Sequence, residues 1–208
     1  VMLITLAQAA QALKEGQLVA FPTETVYGLG ADADNDAAVS AIFAAKGRPA
    51  HHPLIVHVQN AAQAAHFAAH LPPLAERLMQ HFWPGPLTLI LPRRPGVATA
   101  AAGGQASIGL RCPAHPVAQA LLQAAQALGV SGVAAPSANR FGRISPTTAA
   151  HVADEFGDSL AVLDGGPCEV GIESSIVDLS RTDPVLLRPG GISRADLQAA
   201  MGQRFADP

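Results

Sequence analysis

Cysteine, lysine and long apolar runs are all scarce in this sequence. Its 208 residues include only two cysteines, Cys112 and Cys168, and neither lies in a paired motif. We therefore expect no disulfide framework and a reducing, cytoplasmic location. No stretch of about 18 uncharged apolar residues is present, so we expect no transmembrane helix and no membrane partner. Residues 1–16 lack the basic start and continuous apolar run of a signal peptide.

Charge is also sparse, and its placement is more informative than its sum. Charged residues make up 14% of the chain and give a net charge of −3, which argues against broad electrostatic binding of nucleic acid. The only lysines are Lys14 and Lys46. Several arginines stand beside glycine, proline or serine in expected loops or at strand ends: Arg48, Arg111, Arg140, Arg143 and Arg188. Cations placed at turns predict a local anion site.

Hydrophobic periodicity predicts alternating strands and helices along the chain. The expected strands are Leu3–Leu6, Leu18–Phe21, Leu54–Val58, Leu87–Leu91, Ser107–Arg111, Val133–Ala135, Leu160–Leu163, Ser175–Leu179 and Val185–Leu187. The expected helices are Ala7–Glu15, Asp36–Lys46, Ala61–Ala69, Pro73–Phe82, Val117–Leu128, Thr147–Phe156 and Arg194–Met201. This alternation is typical of an α/β domain with an open, twisted, mixed sheet and flanking helices. The length fits a single domain over residues 1–208.

Residues 22–30 (PTETVYGLG) follow a strand and place hydroxyls, a carboxylate and a phenol on a turn-rich segment. Such a segment either surrounds a small polar ligand or simply connects a strand to a helix. Residues 28–33 also fit a permissive dinucleotide-binding fingerprint, which must follow directly from a strand and open a helix. Because Gly28 is well separated from Phe21 and the next helix starts only at Asp36, we reject a dinucleotide site.

Lys46 and Arg48 lie two residues apart at the expected end of a helix. A flexible point charge beside a planar guanidinium can hold adjacent phosphate oxygens, although a lysine there also interacts favourably with the helix dipole. The nearby histidines, His51, His52 and His57, have no cysteine or carboxylate at a matching spacing, which argues against zinc. His57 interrupts an apolar strand, so it either bonds to backbone in the core or lines a pocket.

Strand periodicity places Ser107, Gly109 and Arg111 on one face of a strand. An arginine flanked by a glycine that lets a ligand approach suits a carboxylate; the alternative is a strand-end arginine paired with a surface acid. Further along, residues 135–147 combine small hydroxyl and amide side chains that either make turns or bond phosphate or ribose. Residues 164–166, 171–178 and 186–190 each place polar groups at the mouth of a strand, where open α/β sheets commonly bind ligands.

Taken in order, these stretches resemble the YrdC family, the threonylcarbamoyl-AMP synthases, over nearly the whole chain. The matching blocks are PTETVYGLG (22–30), KGRP (46–49), PLIVHV (53–58), WPGPLTLIL (83–91), SIGLRCP (107–113), APSAN (135–139), GIESSIVD (171–178) and LLRPG (186–190). The resemblance implies a YrdC-like fold around a concave, basic cavity. Because the chain ends soon after the last block, we expect the short, single-domain form.

The resemblance also implies a reaction: L-threonine, bicarbonate and ATP give threonylcarbamoyl-adenylate and pyrophosphate. A partner transferase complex then moves the threonylcarbamoyl group to an adenosine next to the anticodon of tRNA; a weak contact with RNA is left open. No dedicated carboxylate cage is evident in the sequence, so we expect Mg²⁺ to arrive with ATP.

The site residues implied by the resemblance fall into two groups. Lys46 and Arg48 resemble the catalytic residues that bind the triphosphate, and we expect neither residue in the core. The other expected ATP contacts are Ser107, Ser137, Asn139, Ser145 and Arg188. The expected threonine contacts are Thr23, Tyr27, His57, Arg111 and Ser175. Ser175 stands where many relatives have threonine, and Arg140 stands where a small or apolar residue is common.

Two other classes of function stay open at this point. One is an RNA-binding module, which the negative net charge and the lack of an aromatic stacking platform argue against. The other is carbamoyl-phosphate-dependent adenylation, as in hydrogenase maturation, which uses a related domain. The absence of zinc-finger and acylphosphatase segments from this sequence argues against that second class.

Overall fold

The computed structural model describes residues 2–169 and 172–208, so Gly171 of the GIESSIVD block lies outside the described residues. The strands are β1 (Met2–Leu3), β2 (Val19–Pro22), β3 (Tyr27–Asp32), β4 (Ile55–His57), β5 (Leu87–Pro92), β6 (Ser107–Arg111), β7 (Val133–Ala134), β8 (Ala161–Val162), β9 (Ser175–Asp178) and β10 (Val185–Arg188). The helices are α1 (Leu6–Lys14), α2 (Asp36–Lys46), α3 (Ala61–Phe67), α4 (Pro73–Phe82), α5 (Pro116–Ala127), α6 (Ala149–Phe156) and α7 (Arg194–Met201).

The strands form one mixed sheet in the order β1-β8-β2-β3-β7-β4-β6-β5-β9-β10. The centre of the sheet joins β4 and β6 in parallel, β6 and β5 antiparallel, and β5 and β9 in parallel. These four neighbours come from widely separated parts of the chain, so the sheet gathers distant residues onto one surface. The expected α/β class with an open, twisted, mixed sheet is confirmed.

Helices cover both faces of the sheet. Along β2, Phe21 belongs to a buried cluster with α1 and α5, whereas Ala20 belongs to a larger cluster with α2, α4 and α7. Because successive residues of a strand point to opposite faces, the two clusters lie on opposite sides. Within the described residues, no helix is both long enough and apolar enough to span a bilayer.

Helix α2 has the bounds that the sequence predicts. The Asn35 side chain accepts a hydrogen bond from the N–H of Ala38 at the start, and Gly47 adopts a left-handed conformation (φ 68°) after the end. Both features stop a helix cleanly, because the side chain caps a free N–H and glycine tolerates a positive φ. The end of the helix therefore fixes the positions of Lys46, its last residue, and of Arg48 just beyond it.

Strand β3 is the element that sequence reasoning missed, since residues 22–30 were expected to be rich in turns. Tyr27–Asp32 instead pairs antiparallel with β2 and β7. Gly30 explains part of this misreading, because a side chain there has no room: an added Cβ would lie 2.8 Å from both Phe21 Cε1 and Val133 Cγ1. Glycine in this strand therefore reports close packing and not a turn.

Candidate functional site

A cavity of about 240 Å³ opens over the centre of the sheet. Its floor comes from alternate residues of neighbouring strands: Ile55, His57, Thr88, Ile90, Ser107, Gly109, Arg111 and Ile176. Its walls come from Thr23, Thr25, Val26 and Gly28 of the segment that joins β2 to β3, from the segment 135–137, and from Arg48, Glu173, Ser174 and Arg188. The cavity therefore collects residues from most of the matched blocks.

Strand register arranges the floor in rows. One row, the polar row, runs across the strands through His57, Arg111, Thr88 and Ile176. The next, the apolar row, contains Ile55, Gly109 and Ile90. Ser107 follows on β6 beyond the apolar row. The cavity thus has an Arg111 end and a Ser107 end, which are separated by the apolar row.

The Arg111 guanidinium is buried, with only 4% of the residue exposed. Its Nη1 donates to Thr25 Oγ1 (2.9 Å), its Nη2 donates to Glu24 Oε1, and its Nε makes a long contact with the Gly85 carbonyl (3.4 Å). Each terminal nitrogen carries two N–H groups, so one on each has no partner among the described residues. A pair of free donors on one guanidinium suits a carboxylate.

Burial lowers the pKa of Arg111, and the nearby Glu24 carboxylate opposes that shift. The pKa of His57, beside Arg111 in the polar row, falls to about 3, mainly because the ring is fully buried and secondly because of the Arg111 charge. His57 is therefore neutral near pH 7. Its Nδ1 is buried without a hydrogen-bond partner in the described part of the chain.

Thr23 lines the cavity as predicted, but its hydroxyl is committed within its own turn. Thr23 Oγ1 donates to the Val26 carbonyl at 2.7 Å, so the 2.9 Å contact between the hydroxyls of Thr23 and Thr25 has Thr25 as donor. Because Thr25 also accepts from Arg111, a chain of hydrogen bonds runs from the guanidinium to the β2–β3 turn. Thr23 thereby fixes the position of Arg111.

Two expected threonine contacts lie outside the cavity lining. The Tyr27 ring is fully buried, and its hydroxyl contacts Asp164 Oδ1 (3.0 Å) and the Gly166 carbonyl (2.8 Å). Ser175 is also fully buried, and its hydroxyl donates to the Ile192 carbonyl at 2.7 Å. The neighbouring residue, Ser174, lines the cavity in place of Ser175.

The Ser107 end carries a half-buried cation, Arg48. Its Nη2 donates to the Pro53 carbonyl (2.9 Å), and its buried Nε has no partner within residues 2–169 and 172–208. Ser107 and Ser137 line the cavity nearby. On the wall, Arg188 donates from Nε and Nη2 to the Ser174 carbonyl (3.0 and 2.8 Å). Arg48, Ser107, Ser137 and Arg188 therefore all line the cavity, and their roles toward ATP stay predictions.

Lys46 does not line the cavity and, against expectation, is almost completely buried, with 4% exposed. Its ammonium group donates to the Ser137 carbonyl (2.6 Å) and to the Asn139 carbonyl. Burial, and secondly the charge of Arg48, lower the pKa of Lys46 to about 8. Lys46 therefore shapes the segment that presents Ser137.

Asn139 and Ser145 also lie away from the cavity lining. The Asn139 side-chain amide donates to the carbonyls of Arg140 and Arg143, both at 2.8 Å. Ser145 is half-buried just after this loop. The structure thus gives Asn139 a visible role in folding the loop. The roles predicted for Asn139 and Ser145 toward ATP stay predictions.

Several polar residues of the site were missed from the sequence: Glu24, Thr25, Thr88, Gln105, Glu173 and Ser174. Thr88 pairs in register with Arg111, and its hydroxyl lies 2.7 Å from that of Ser174. The signal for Glu24 and Thr25 was present, because both stand beside Thr23 in the PTET stretch. Only the cross-strand register could have identified Thr88.

The described residues contain no group of three or more histidine, cysteine or acidic side chains able to hold a metal. The two cysteines, Cys112 and Cys168, are free thiols. The charged residues that line the cavity are Arg48, Arg111, Arg188 and Glu173. The site thus offers cations and hydroxyls to an anionic ligand.

The fold and site define an α/β protein with an arginine-lined cavity for anionic ligands over the centre of its sheet. The family model Sua5_yciO_yrdC, described as telomere recombination, matches residues 11–190. The chain belongs to this family.

Several curated relatives are named threonylcarbamoyl-AMP synthase. One from Pyrococcus abyssi is 47% identical over 94% of this chain and 56% of its own length. One from Bacillus subtilis is 46% identical over 97% of this chain and 58% of its own length. A crystal structure of P. abyssi Sua5 complexed with L-threonine aligns with a TM-score of 0.92 and 42% identity, covering 100% of this chain and 61% of that one. The chain spans little more than half the length of these relatives. The single-domain form stays a prediction.

Proposed function

We propose that this protein makes L-threonylcarbamoyl-adenylate from L-threonine, bicarbonate and ATP, with release of pyrophosphate. The product supplies the threonylcarbamoyl group that a partner transferase complex attaches to tRNA next to the anticodon. The proposal rests on the names of the relatives and on one observation in the cavity. Arg111 offers free donors at one end, while Arg48 and Arg188 flank the rest, so two anions can meet in one space.

The two ends of the cavity suit the two larger substrates. The free N–H groups of Arg111 would bind the threonine carboxylate, with His57 and Thr88 beside the amino acid. Arg48, Ser107 and Ser137 would hold the phosphates. Arg188 pairs with Ile176 at the end of the polar row, and we propose that it reaches the ATP from that side. An oxygen of the N-carboxylated threonine then attacks the α-phosphorus, an O–P bond forms, and the bond from phosphorus to pyrophosphate breaks. Such a transfer depends mainly on positioning and on neutralising charge.

Mg²⁺ enters this proposal as part of the ATP substrate. The described residues hold no carboxylate cluster suited to it, so this chain would contribute arginines and hydroxyls while the ion is held by phosphate oxygens. When bound, the ion neutralises charge on the phosphates. We also propose a reducing, cytoplasmic setting, in keeping with the free thiols of Cys112 and Cys168.

Mass spectrometry of the products tests the proposal. With ATP, Mg²⁺, threonine and bicarbonate, the protein should release pyrophosphate and form a labile adduct with the mass of threonylcarbamoyl-adenylate. Omission of either threonine or bicarbonate should abolish both signals. Pyrophosphate release that needs carbamoyl phosphate and ignores threonine would instead assign the protein to carbamoyl adenylation.

A further inference from the structure

Glu173 is the exception in a cavity that otherwise offers cations and hydroxyls. Among the described residues that line the cavity, it is the only one with an acidic side chain. A carboxylate beside the phosphates of ATP weakens their binding unless a cation lies between them, because like charges repel. The carboxylate therefore serves either the neighbouring Arg188 or the ligand.

Arg188 does not depend on Glu173 for its position. Its Nε and Nη2 donate to the Ser174 carbonyl at 3.0 and 2.8 Å, and Nη2 also contacts the Ser174 hydroxyl at 3.2 Å. The contact from Nη1 to Glu173 Oε2 is long, at 3.4 Å, whereas charge-assisted hydrogen bonds are typically about 2.7–2.9 Å. Both side chains are partly exposed, 35% for Arg188 and 46% for Glu173, and exposed pairs contribute little to stability. The ion pair alone does not explain the carboxylate.

The backbone of Glu173 is held firmly, while its carboxylate is held by one long contact. The Glu173 carbonyl accepts a hydrogen bond from the N–H of Gly191 at 3.2 Å. Gly190 packs closely on the same peptide group, since an added Cβ there would lie 2.4 Å from the Glu173 carbonyl oxygen. Within the described part of the chain, the carboxylate makes no hydrogen bond besides the one to Arg188. Glu173 is thus fixed at the cavity wall with a carboxylate that can meet a ligand.

Glu173 and Arg48 lie on opposite walls of the cavity. Glu173 precedes β9, whereas Arg48 bonds to Pro53 just before β4, and β6 and β5 separate these two strands in the sheet. Burial lowers the pKa of Arg48, and the Glu173 charge opposes that shift, so the carboxylate acts across the cavity. Phosphates held by Arg48, with Arg188 reaching the ATP from the other wall, would therefore lie close to Glu173.

We propose that Glu173 makes the cavity select the magnesium complex of ATP over free ATP. This inference rests on the proposed function and deepens it. Free ATP carries more negative charge than its magnesium complex, so the carboxylate opposes its binding more strongly. In sites for phosphate transfer, Mg²⁺ usually keeps several waters and is bound by substrate phosphates together with one or two carboxylates. A single glutamate beside the phosphates is therefore enough for an ion that the substrate brings.

Calorimetric titration of ATP tests the proposal, once with excess Mg²⁺ and once with a chelator, at matched ionic strength. The wild-type protein is compared with Glu173→Gln, which keeps the size of the side chain and removes its charge. The wild type should bind the magnesium complex about tenfold more tightly than free ATP. In Glu173→Gln the affinity for free ATP should rise about tenfold, while the affinity for the magnesium complex should not rise. Circular dichroism and thermal unfolding check that the variant is folded.

Glu76→Gln is the matched control, because Glu76 is exposed on α4 and lies outside the cavity lining. It changes the net charge by the same amount and should keep the wild-type preference. The proposal is overturned if the wild type binds both forms of ATP equally. It is also overturned if Glu173→Gln tightens both forms equally, which would make Glu173 a competitor of any phosphate, or if both affinities are unchanged, which would leave Glu173 as a partner of Arg188 alone. A wild-type protein that binds neither form would refute the proposed function itself.

Discussion

Glu24 and Arg111 form a buried ion pair in which the carboxylate also accepts a 2.7 Å hydrogen bond from the backbone N–H of Ala114. One oxygen of Glu24 holds the guanidinium, and the other holds the loop that follows β6. Glu24 does not itself line the cavity. It therefore acts on any ligand through the direction in which it holds Arg111.

We predict that Glu24→Gln raises KM for threonine and leaves KM for ATP and kcat much less affected. A glutamine has one acceptor oxygen, so it cannot replace both contacts, and Arg111 loses its balancing charge. Breaking a buried pair typically costs about 3 kcal/mol of folding free energy, so threonine should be titrated at a temperature well below unfolding. Asp34→Asn, which removes an exposed partner of His66, is the control and should change neither constant. Equal losses for threonine and ATP would show that Glu24 serves the fold alone.

Lys46 gives a prediction about stability and pH. Its pKa is about 8 in the folded protein and near 10.5 in the unfolded chain. Between these values the unfolded chain binds the proton more strongly, so the free energy of unfolding should rise with pH across this window. Relative to Lys46→Met, in which residue 46 does not titrate, the free energy of unfolding of the wild-type protein should rise by up to about 3 kcal/mol between the two pKa values.

Urea unfolding of both proteins at the two ends of this window measures the difference. Below pH 8 the cost of burying the ammonium group is fully present. The free energy of unfolding of the wild type, relative to that of Lys46→Met, should therefore be lowest there. A wild-type advantage that shrinks with rising pH would mean that the carbonyls of Ser137 and Asn139 stabilise the ammonium more than burial penalises it.

Tyr27→Phe separates a positioning role from a substrate contact. The Tyr27 hydroxyl contacts Asp164 and Gly166, and it accepts from the N–H of Gly165 at 3.2 Å. Its partners are exposed (Asp164) or half-buried (Gly165 and Gly166), so its loss should cost about 0.5–1.5 kcal/mol of folding free energy, measured by thermal or urea unfolding. KM for threonine should stay close to wild type. The reverse pattern, full stability with a raised KM, would place the hydroxyl on the substrate.

Local signals in the sequence predict the helices well, but they predict poorly which side chains face the cavity. The bounds of α2 and α4 follow from caps, prolines and periodicity, all of which act within a few residues. The choice between Ser174 and Ser175 depends on which of two adjacent hydroxyls faces the cavity, and one residue of register reverses it. Lys46 was misplaced for a related reason, because the carbonyls that bind it lie more than ninety positions away.

The floor of the cavity has a consequence for when the protein becomes competent during synthesis. Thr23 is made early, but Ile176 and Arg188 lie on β9 and β10, near the end of the sequence. Strand β9 pairs with β5, whose residues precede it by more than eighty positions. Such distant pairing is slow, because a long loop must close before the contact forms. A ribosome-bound chain that has not yet released residues 172–188 has an open-sided cavity, so the cavity is complete only after these residues have emerged.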